Sequence, residues 1–172
     1  MLSATHRGKA MKSIFVIVSM LGSVVVFSAF NTPDPPEVHY PANYRQWTHI
    51  KTGVIEKGNM AFEHFGGFHH IYANAIALKG YESGRFNDGA ILVFDVLEAE
   101  EKNNSLTEGR RRIVDVMVKE SVLYPETGGW GFEEFNGDSK TERNVKALSV
   151  SACFSCHAFK REQGFVFSSY RQ

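Results

Sequence analysis

The chain has 172 residues, of which 43% are hydrophobic and 13% aromatic, and its basic and acidic residues are equal in number. This length supports one domain with a hydrophobic core and is short for two. Phosphate-binding proteins cluster lysine and arginine on one surface, and the sequence has no such basic stripe. We therefore expect one domain and no nucleic acid partner.

The first thirty residues differ from the rest. Arg7, Lys9 and Lys12 precede a stretch without any charge, from Ser13 to Phe30. A basic start followed by an apolar core is typical of an export signal, but no clean small-residue cleavage site closes this core. We predict that residues 1–30 form a signal peptide, or an N-terminal anchor where the signal is not cleaved. The protein is then expected to be periplasmic, and membrane-anchored in the second case.

A proline-rich segment follows the apolar stretch. Four of the five prolines lie between Asn31 and Pro41. Proline has a fixed φ and no amide proton, so such a segment suits neither a helix interior nor an inner strand. Residues 31–43 are therefore predicted to be a lead-in, and residues 44–172 a single domain.

Hydrophobic periodicity predicts mainly β-structure in this domain. Tyr44, Trp47 and Ile50 recur at three-residue spacing and predict a short helix before Gly53. Four later segments have the apolar alternation or turn-bounded apolar runs of strands: Phe68–Leu78, Gly89–Ala99, Arg112–Ser121 and Thr127–Phe135. Turns rather than crossover helices separate them, which favours an antiparallel sheet.

The region after the predicted sheet is expected to be helical. Ser139 and Glu142 have the spacing of a capping box. The helix that they would begin carries Cys153 and Cys156. The predicted fold class is therefore α+β and mainly β, an antiparallel sheet with short flanking helices and a C-terminal helix that bears the cysteine motif.

The stretch CFSCH contains both cysteines of the chain, Cys153 and Cys156, followed directly by His157. A structural zinc site needs four ligands, and a thioredoxin-type dithiol is expected near the first strand of a βαβ unit, so neither fits well. Cys-x-x-Cys-His is the spacing of c-type haem attachment, in which two thiols on one helical turn reach the haem vinyl groups. The motif predicts one covalent haem c, with His157 as the proximal iron ligand.

The sixth position of the iron separates an electron carrier from a gas-binding or catalytic site. Seven His and Met side chains are candidates for it: His39, His49, Met60, His64, His69, His70 and Met117. His69 and His70 are neighbours on a predicted strand, so at most one of them faces inward. None stands out, which favours an open site.

Five segments of the sequence resemble the cytochrome P-460 family: FHHIYANAIALKG, NDGAILVFDVLEA, TEGRRRIVDVMVKES, TGGWGFEEFNGDSKTERNV and ACFSCHAFKREQGFVFSS. The resemblance extends from about Tyr44 to the C-terminus. It implies a mainly β haem protein in which the attachment motif follows the sheet, whereas most c-type cytochromes are helical and carry the motif near the N-terminus.

The resemblance implies one of two activities. Cytochrome P-460 proper oxidises hydroxylamine and has a lysine cross-linked to its porphyrin, at the position that Phe94 occupies here. The cytochrome c′-beta group has the same fold without the cross-link, caps its distal pocket with phenylalanines, and binds nitric oxide and carbon monoxide at a five-coordinate iron. Phe94 makes this group the better match, and Phe65 is predicted to be the second capping residue. The alternative is that both phenylalanines are ordinary core residues.

Other side chains keep the hydroxylamine-oxidising enzyme open as an alternative. Lys79, predicted at the end of a strand, and Lys119 are the lysines that would reach a haem edge if the predicted register is wrong. Glu120, Glu133 and Glu134 are candidates for the proton-shuttling carboxylate that hydroxylamine oxidation requires. All five also fit a solvated surface role.

A six-coordinate electron carrier with a redox partner protein is the third interpretation. The family resemblance also implies a homodimer. Lys160 and Arg161 follow the predicted iron ligand and either pair with haem propionates or stabilise the end of the helix.

Overall fold

The structure is a computed structural model that describes residues 36–145, 148 and 150–171. The predicted signal peptide or anchor at residues 1–30 lies outside the described residues, as do residues 31–35 of the predicted lead-in. Within the described part of the chain, no helix is both long and apolar enough to cross a membrane.

Five strands form one sheet. In chain order they are β1 (Thr48–Ile55), β2 (Gly67–Ala73), β3 (Ile91–Lys102), β4 (Ser105–Lys119) and β5 (Trp130–Asn136). Each strand pairs with the next in sequence, and all four pairings are antiparallel. The predicted fold class and the antiparallel meander are confirmed.

Helical segments are short and lie between or after the strands. They are a 3-10 turn at Tyr44–Gln46, α1 (Phe62–Phe65), α2 (Ala75–Ser83), a 3-10 turn at Pro125–Thr127, a π-helical turn at Val150–Phe154, α3 (Ser155–His157) and a 3-10 helix at Ala158–Gln163. The last three run on from one another, so the cysteine motif lies on a C-terminal helix as predicted.

Two predicted elements at the start of the domain are wrong. The helix expected before Gly53 is limited to the turn at Tyr44–Gln46, and strand β1 follows it directly. The strand expected to continue to Leu78 ends at Ala73, because the side chain of Asn74 accepts a hydrogen bond from the amide of Ala77 at 2.8 Å and begins α2.

The predicted capping box does not begin a helix. Ser139 Oγ accepts from the amide of Glu142 at 2.9 Å, as expected. The Glu142 side chain instead accepts from Asn136 Nδ2, also at 2.9 Å. The segment then runs back along β5, with Phe135 and Arg143 forming an isolated antiparallel bridge.

The two faces of the sheet have separate hydrophobic clusters. On one face, which we call the cysteine face, Leu92 and Phe132 belong to a cluster that packs against Cys153 and Phe154. The opposite face has its own buried cluster, which includes Val93. Because side chains alternate along a strand, the parity of each position decides which cluster it joins.

Candidate functional site

The cysteine motif presents its two thiols differently. Cys153 is partly buried and Cys156 is exposed, and both are free. Burial, together with the nearby carboxylates of Asp115, Glu134 and Glu133, raises the pKa of Cys153 to about 12. This thiol is therefore protonated at neutral pH, which suits neither a thiolate metal ligand nor an activated redox dithiol. Among the described residues no group of three or more His, Cys, Asp or Glu is placed to hold a metal ion.

The imidazole of His157 has a fixed orientation. Its Nδ1 lies 2.7 Å from the carbonyl oxygen of Phe165, which can only accept a hydrogen bond, so Nδ1 carries the proton. The ring also packs against Phe132 and Phe167, at centroid distances of 5.0 and 4.9 Å. Burial lowers the pKa of His157, so the ring is neutral and Nε2 keeps a lone pair. A neutral imidazole held by its second nitrogen is the usual form of a metal-ligating histidine.

A tight turn after the helix places the carbonyl that orients His157. Gly164 and Phe165 have φ angles of 67° and 68°, and the amide of Phe165 donates to the carbonyl of Lys160 at 2.7 Å. A phenylalanine in the left-handed region costs about 1–2 kcal/mol, so the surroundings must hold it there. Trp130 on β5 does so by donating from Nε1 to the Gly164 carbonyl at 3.0 Å.

The residues that orient His157 were missed by sequence reasoning. The stretch QGF, with a glycine directly after a predicted helix, indicates a left-handed turn at the helix end. Nothing in the sequence indicates that Trp130 binds this turn or that the Phe165 carbonyl faces the histidine.

Phe65 and Phe94 lie in contact on the cysteine face. Phe94 is on β3, Phe65 ends α1, and their rings meet edge to face with centroids 5.7 Å apart. The ring of His69 stacks on Phe94 at 4.9 Å. His69 Nδ1 is buried and has no hydrogen-bond partner in the described structure, and burial lowers the pKa of this histidine. The ring lies so close to Gly53 that a Cβ there would be 2.6 Å from it.

One row of paired residues crosses the sheet beside these aromatic rings. Ile71, Phe94, Asp115 and Glu134 are successive partners on β2, β3, β4 and β5. Apolar side chains therefore occupy one half of the row and carboxylates the other. Asp115 was not among the residues singled out from the sequence, because an aspartate in the middle of an alternating strand reads as solvent-facing.

The three glutamates predicted as proton shuttles occupy different surroundings. Glu134 faces the cysteine face and is buried, with Oε2 at 2.6 Å from His64 Nε2. Glu133 points to the opposite face, where it accepts from Arg143 Nε at 2.8 Å. Glu120 follows β4, and its amide donates to the Gly129 carbonyl. Only Glu134 therefore shares the face of the cysteine motif.

The two predicted alternative lysines lie away from Phe94. Lys79 is exposed on α2, so its predicted position at a strand end is wrong. Lys119 donates from Nζ to the Gly128 carbonyl at 2.5 Å and lies over the ring of Trp130. Neither lysine belongs to the row that contains Phe94.

The seven candidates for the sixth iron position also occupy different surroundings. Met60 is fully exposed, and His39 is exposed. His49 and His70 both hydrogen-bond to Thr52. His70 and Tyr72 share one parity on β2, and Tyr72 belongs to the cluster of the opposite face. His64 is bound to Glu134, which leaves His69 and Met117 on the cysteine face; His69 Nδ1 has no hydrogen-bond partner among the described residues.

The comparison with protein families agrees with this architecture. The family described as Cytochrome P460 matches residues 41–168. The chain belongs to the cytochrome P460 family. This cytochrome gives no significant match to any curated protein. Family membership makes it a haem cytochrome, as the sequence resemblance implied.

The residues present fit a haem. The donor set is two free thiols on one helical turn and one imidazole whose Nδ1 is hydrogen-bonded, which leaves Nε2 as the ligand atom. Phe132 and Phe154 give the motif an aromatic wall, and the unpartnered Nδ1 of His69 lies on the same face of the sheet. A flat, mainly apolar group with a metal at its centre is the kind of ligand that such a surface accommodates.

Proposed function

We propose that this P460-family cytochrome carries one haem c, joined by thioethers to Cys153 and Cys156, and binds nitric oxide or carbon monoxide. His157 is the only protein ligand of the iron in this proposal. Bound haem supplies an iron with one open coordination position. The observation that carries the proposal is the contact between Phe65 and Phe94, whose rings lie 5.7 Å apart on the cysteine face.

The proximal side supports attachment through this motif. The hydrogen bond from His157 to the Phe165 carbonyl fixes the tautomer that leaves Nε2 as the ligand atom. Both thiols are free, and the raised pKa of Cys153 keeps it as a thiol until it reacts. These are the features expected of a helix that holds a haem by two thioethers and one imidazole.

The aromatic pair supports gas binding over other haem functions. Phenylalanine cannot ligate iron and offers no proton, so a site capped by Phe65 and Phe94 is open and dry. Neutral diatomic molecules pay the smallest desolvation free energy on entering such a site, because they make few hydrogen bonds with water that would need replacing. A strongly hydrogen-bonded or anionic ligand would pay a larger one.

The alternative is a hydroxylamine-oxidising cytochrome P-460. One observation favours it, since Glu134 lies on the cysteine face beside Asp115 and is therefore placed to handle protons. The positions of the lysines argue against a cross-link, because Lys79 is exposed on α2 and Lys119 is bound to Gly128. A six-coordinate electron carrier would need His69 or Met117 as the second ligand.

The cellular setting is also part of the proposal. Residues 1–30 carry the features of an export signal, so we propose a periplasmic protein that is anchored in the membrane if the signal is not cleaved.

A homodimer is proposed from the family resemblance alone. Size-exclusion chromatography with light scattering would test it at a defined protein concentration.

Optical spectra of the purified ferrous protein test the proposed function directly. We expect haem that stays with the polypeptide under denaturing conditions, and a Soret band that shifts when carbon monoxide or nitric oxide is added. A band far to the red together with a third covalent link, detected by mass spectrometry, would support the hydroxylamine-oxidising enzyme. A ferrous spectrum that carbon monoxide leaves unchanged would support the electron carrier.

A further inference from the structure

The short helix α1 has little that would hold it in place by itself. It is a single turn, Phe62–Phe65, without a buried residue, and the five residues before Ala61 are all exposed. A helix of this length is unstable in isolation, because few hydrogen bonds repay the entropy lost in forming the first turn. Phe65 nevertheless packs edge to face on Phe94. Contacts from outside α1 must therefore fix its position against the sheet.

The guanidinium of Arg112 supplies two such contacts. Its Nη1 donates to the carbonyl oxygen of Gly66 at 2.6 Å, and its Nη2 donates to that of Glu63 at 2.8 Å. The last carbonyls of a helix lack partners within the helix, and basic side chains are suitable donors to them. A guanidinium can reach two carbonyls at once because its donors form a rigid, planar fork. Arg112 therefore clamps the two residues that flank His64 and Phe65.

A β-bulge directs Arg112 to this position. Val96 on β3 pairs with Ile113 and Leu97 pairs with Arg111, so Arg112 is an extra residue on β4 without a partner on β3. Bulges bend a strand, redirect a side chain and are frequent beside active sites. The carbonyl of Arg112 accepts from the amide of Gly137 at 2.8 Å. The sheet and the turn after β5 therefore fix the backbone of Arg112, independently of α1.

One further polar contact reaches α1 from β5. His64 Nε2 lies 2.6 Å from Glu134 Oε2, but the His64 side chain is 57% exposed. In the segment before α1, the amides of Ala61 and Phe62 bond to Asn59, so these hydrogen bonds do not reach the sheet. Loss of the Arg112 clamp would therefore loosen α1 without detaching it.

We propose that Arg112 is the positioning residue that holds α1, and with it Phe65, closed over the gas site. This inference rests on the proposed gas binding. Arg112 touches neither the haem nor the ligand in this proposal. It acts through the backbone of α1, whose opening lets the Phe65 ring leave Phe94 and admits a diatomic molecule. The clamp therefore sets the rate of gas entry, as a lid does in other proteins whose sites are covered.

Flash photolysis of the ferrous carbon monoxide complex tests the clamp. We expect Arg112→Gln to rebind carbon monoxide from solution at least fivefold faster than the wild type, because both charge-assisted hydrogen bonds to α1 are lost. Arg112→Lys keeps the charge without the fork and should give a rate between the two. Arg110→Gln is the matched control, since Arg110 lies on the same strand, is 78% exposed and binds Glu98. It should keep the wild-type rate.

A double-mutant cycle separates positioning of Phe65 from a general loss of stability. Phe65→Ala should speed rebinding, and adding Arg112→Gln to it should change the rate less than twofold, because the side chain that the clamp positions is already gone. Wild-type rates in Arg112→Gln and Arg112→Lys, a wild-type rate in Phe65→Ala, or additive effects in the double variant would each overturn the clamp. Wild-type protein without covalent haem, or with haem that does not bind carbon monoxide, would instead overturn the proposed function together with it.

Discussion

His157 Nδ1 lies 2.7 Å from the carbonyl oxygen of Phe165, and this single hydrogen bond decides which nitrogen of the histidine is free. The carbonyl is placed by two successive residues with positive φ, Gly164 and Phe165. The orientation of the proposed iron ligand therefore depends on a turn that lies outside the cysteine motif.

Replacing Gly164 should disturb that turn. Gly164→Ala forces a Cβ into the left-handed region and to within 2.9 Å of the Phe86 ring, which we expect to lower the free energy of unfolding by about 1–2 kcal/mol. It should also alter the ferrous haem spectrum, since the Phe165 carbonyl moves with it. Gly84→Ala is the control, with a φ of 74° and no atom within 4 Å of the added Cβ. Gly84→Ala should lower the free energy of unfolding by about 1 kcal/mol and leave the haem spectrum unchanged.

Replacing His157 should separate attachment from ligation. In His157→Gly the two cysteines remain, so we expect covalent haem with an altered spectrum. Added imidazole should restore the wild-type spectrum, because it occupies the space left beside Phe132 and Phe167. A His157→Gly protein with the wild-type spectrum in the absence of imidazole would show that another residue binds the iron.

Replacing Phe94 should close the gas site. Phe94→Lys places an amine where the ring contacts Phe65 and His69, and we expect this amine either to cross-link to the haem or to occupy the sixth position. Carbon monoxide binding to the ferrous protein should then slow at least tenfold in flash photolysis. Phe159→Lys makes the same change at a side chain that is 88% exposed and should keep wild-type kinetics. Unchanged kinetics in Phe94→Lys would show that Phe94 does not face the haem.

Asp115 and Asp88 should affect stability in opposite directions as pH changes. The folded-state pKa of Asp115 is raised above its unfolded value, mainly by burial. Its ionisation therefore costs stability progressively as pH rises from about 4 through the folded pKa. Asp115→Asn removes this cost, so we expect its melting temperature relative to wild type to rise between pH 4 and pH 8.

Asp88 provides the comparison of opposite sign. Hydrogen bonds from Ser121 lower the pKa of Asp88, so its stabilising contribution is present above the unfolded pKa and is lost as pH falls through the folded one. Asp88→Asn should therefore lower the melting temperature at pH 7 and approach the wild type at low pH. Parallel pH profiles for the two variants would contradict the assignment of opposite shifts.

Much of the fold was predictable because its signals are local. The strands that became β3, β4 and β5 have alternating apolar residues or apolar runs, and the turns before, between and after them contain Asn, Asp and Gly. Two of the errors arose where local signals conflict. The spacing of Tyr44, Trp47 and Ile50 fits a helix, but the segment Thr48–Ile55 pairs with β2. The apolar run after Ala73 fits a strand, but Asn74 caps a helix there.

The sequence by itself determined the attachment chemistry that we propose, since two cysteines and a histidine at fixed spacing on one helical turn need no distant partner to be recognised. Only the tertiary structure decided which other residues share that face. Phe65 reaches Phe94, Glu134 binds His64 and pairs with Asp115 across the strands, and Trp130 supports the turn at Gly164. The reason is the sheet register, because a shift of one residue moves a side chain to the other face, and local sequence does not fix that register.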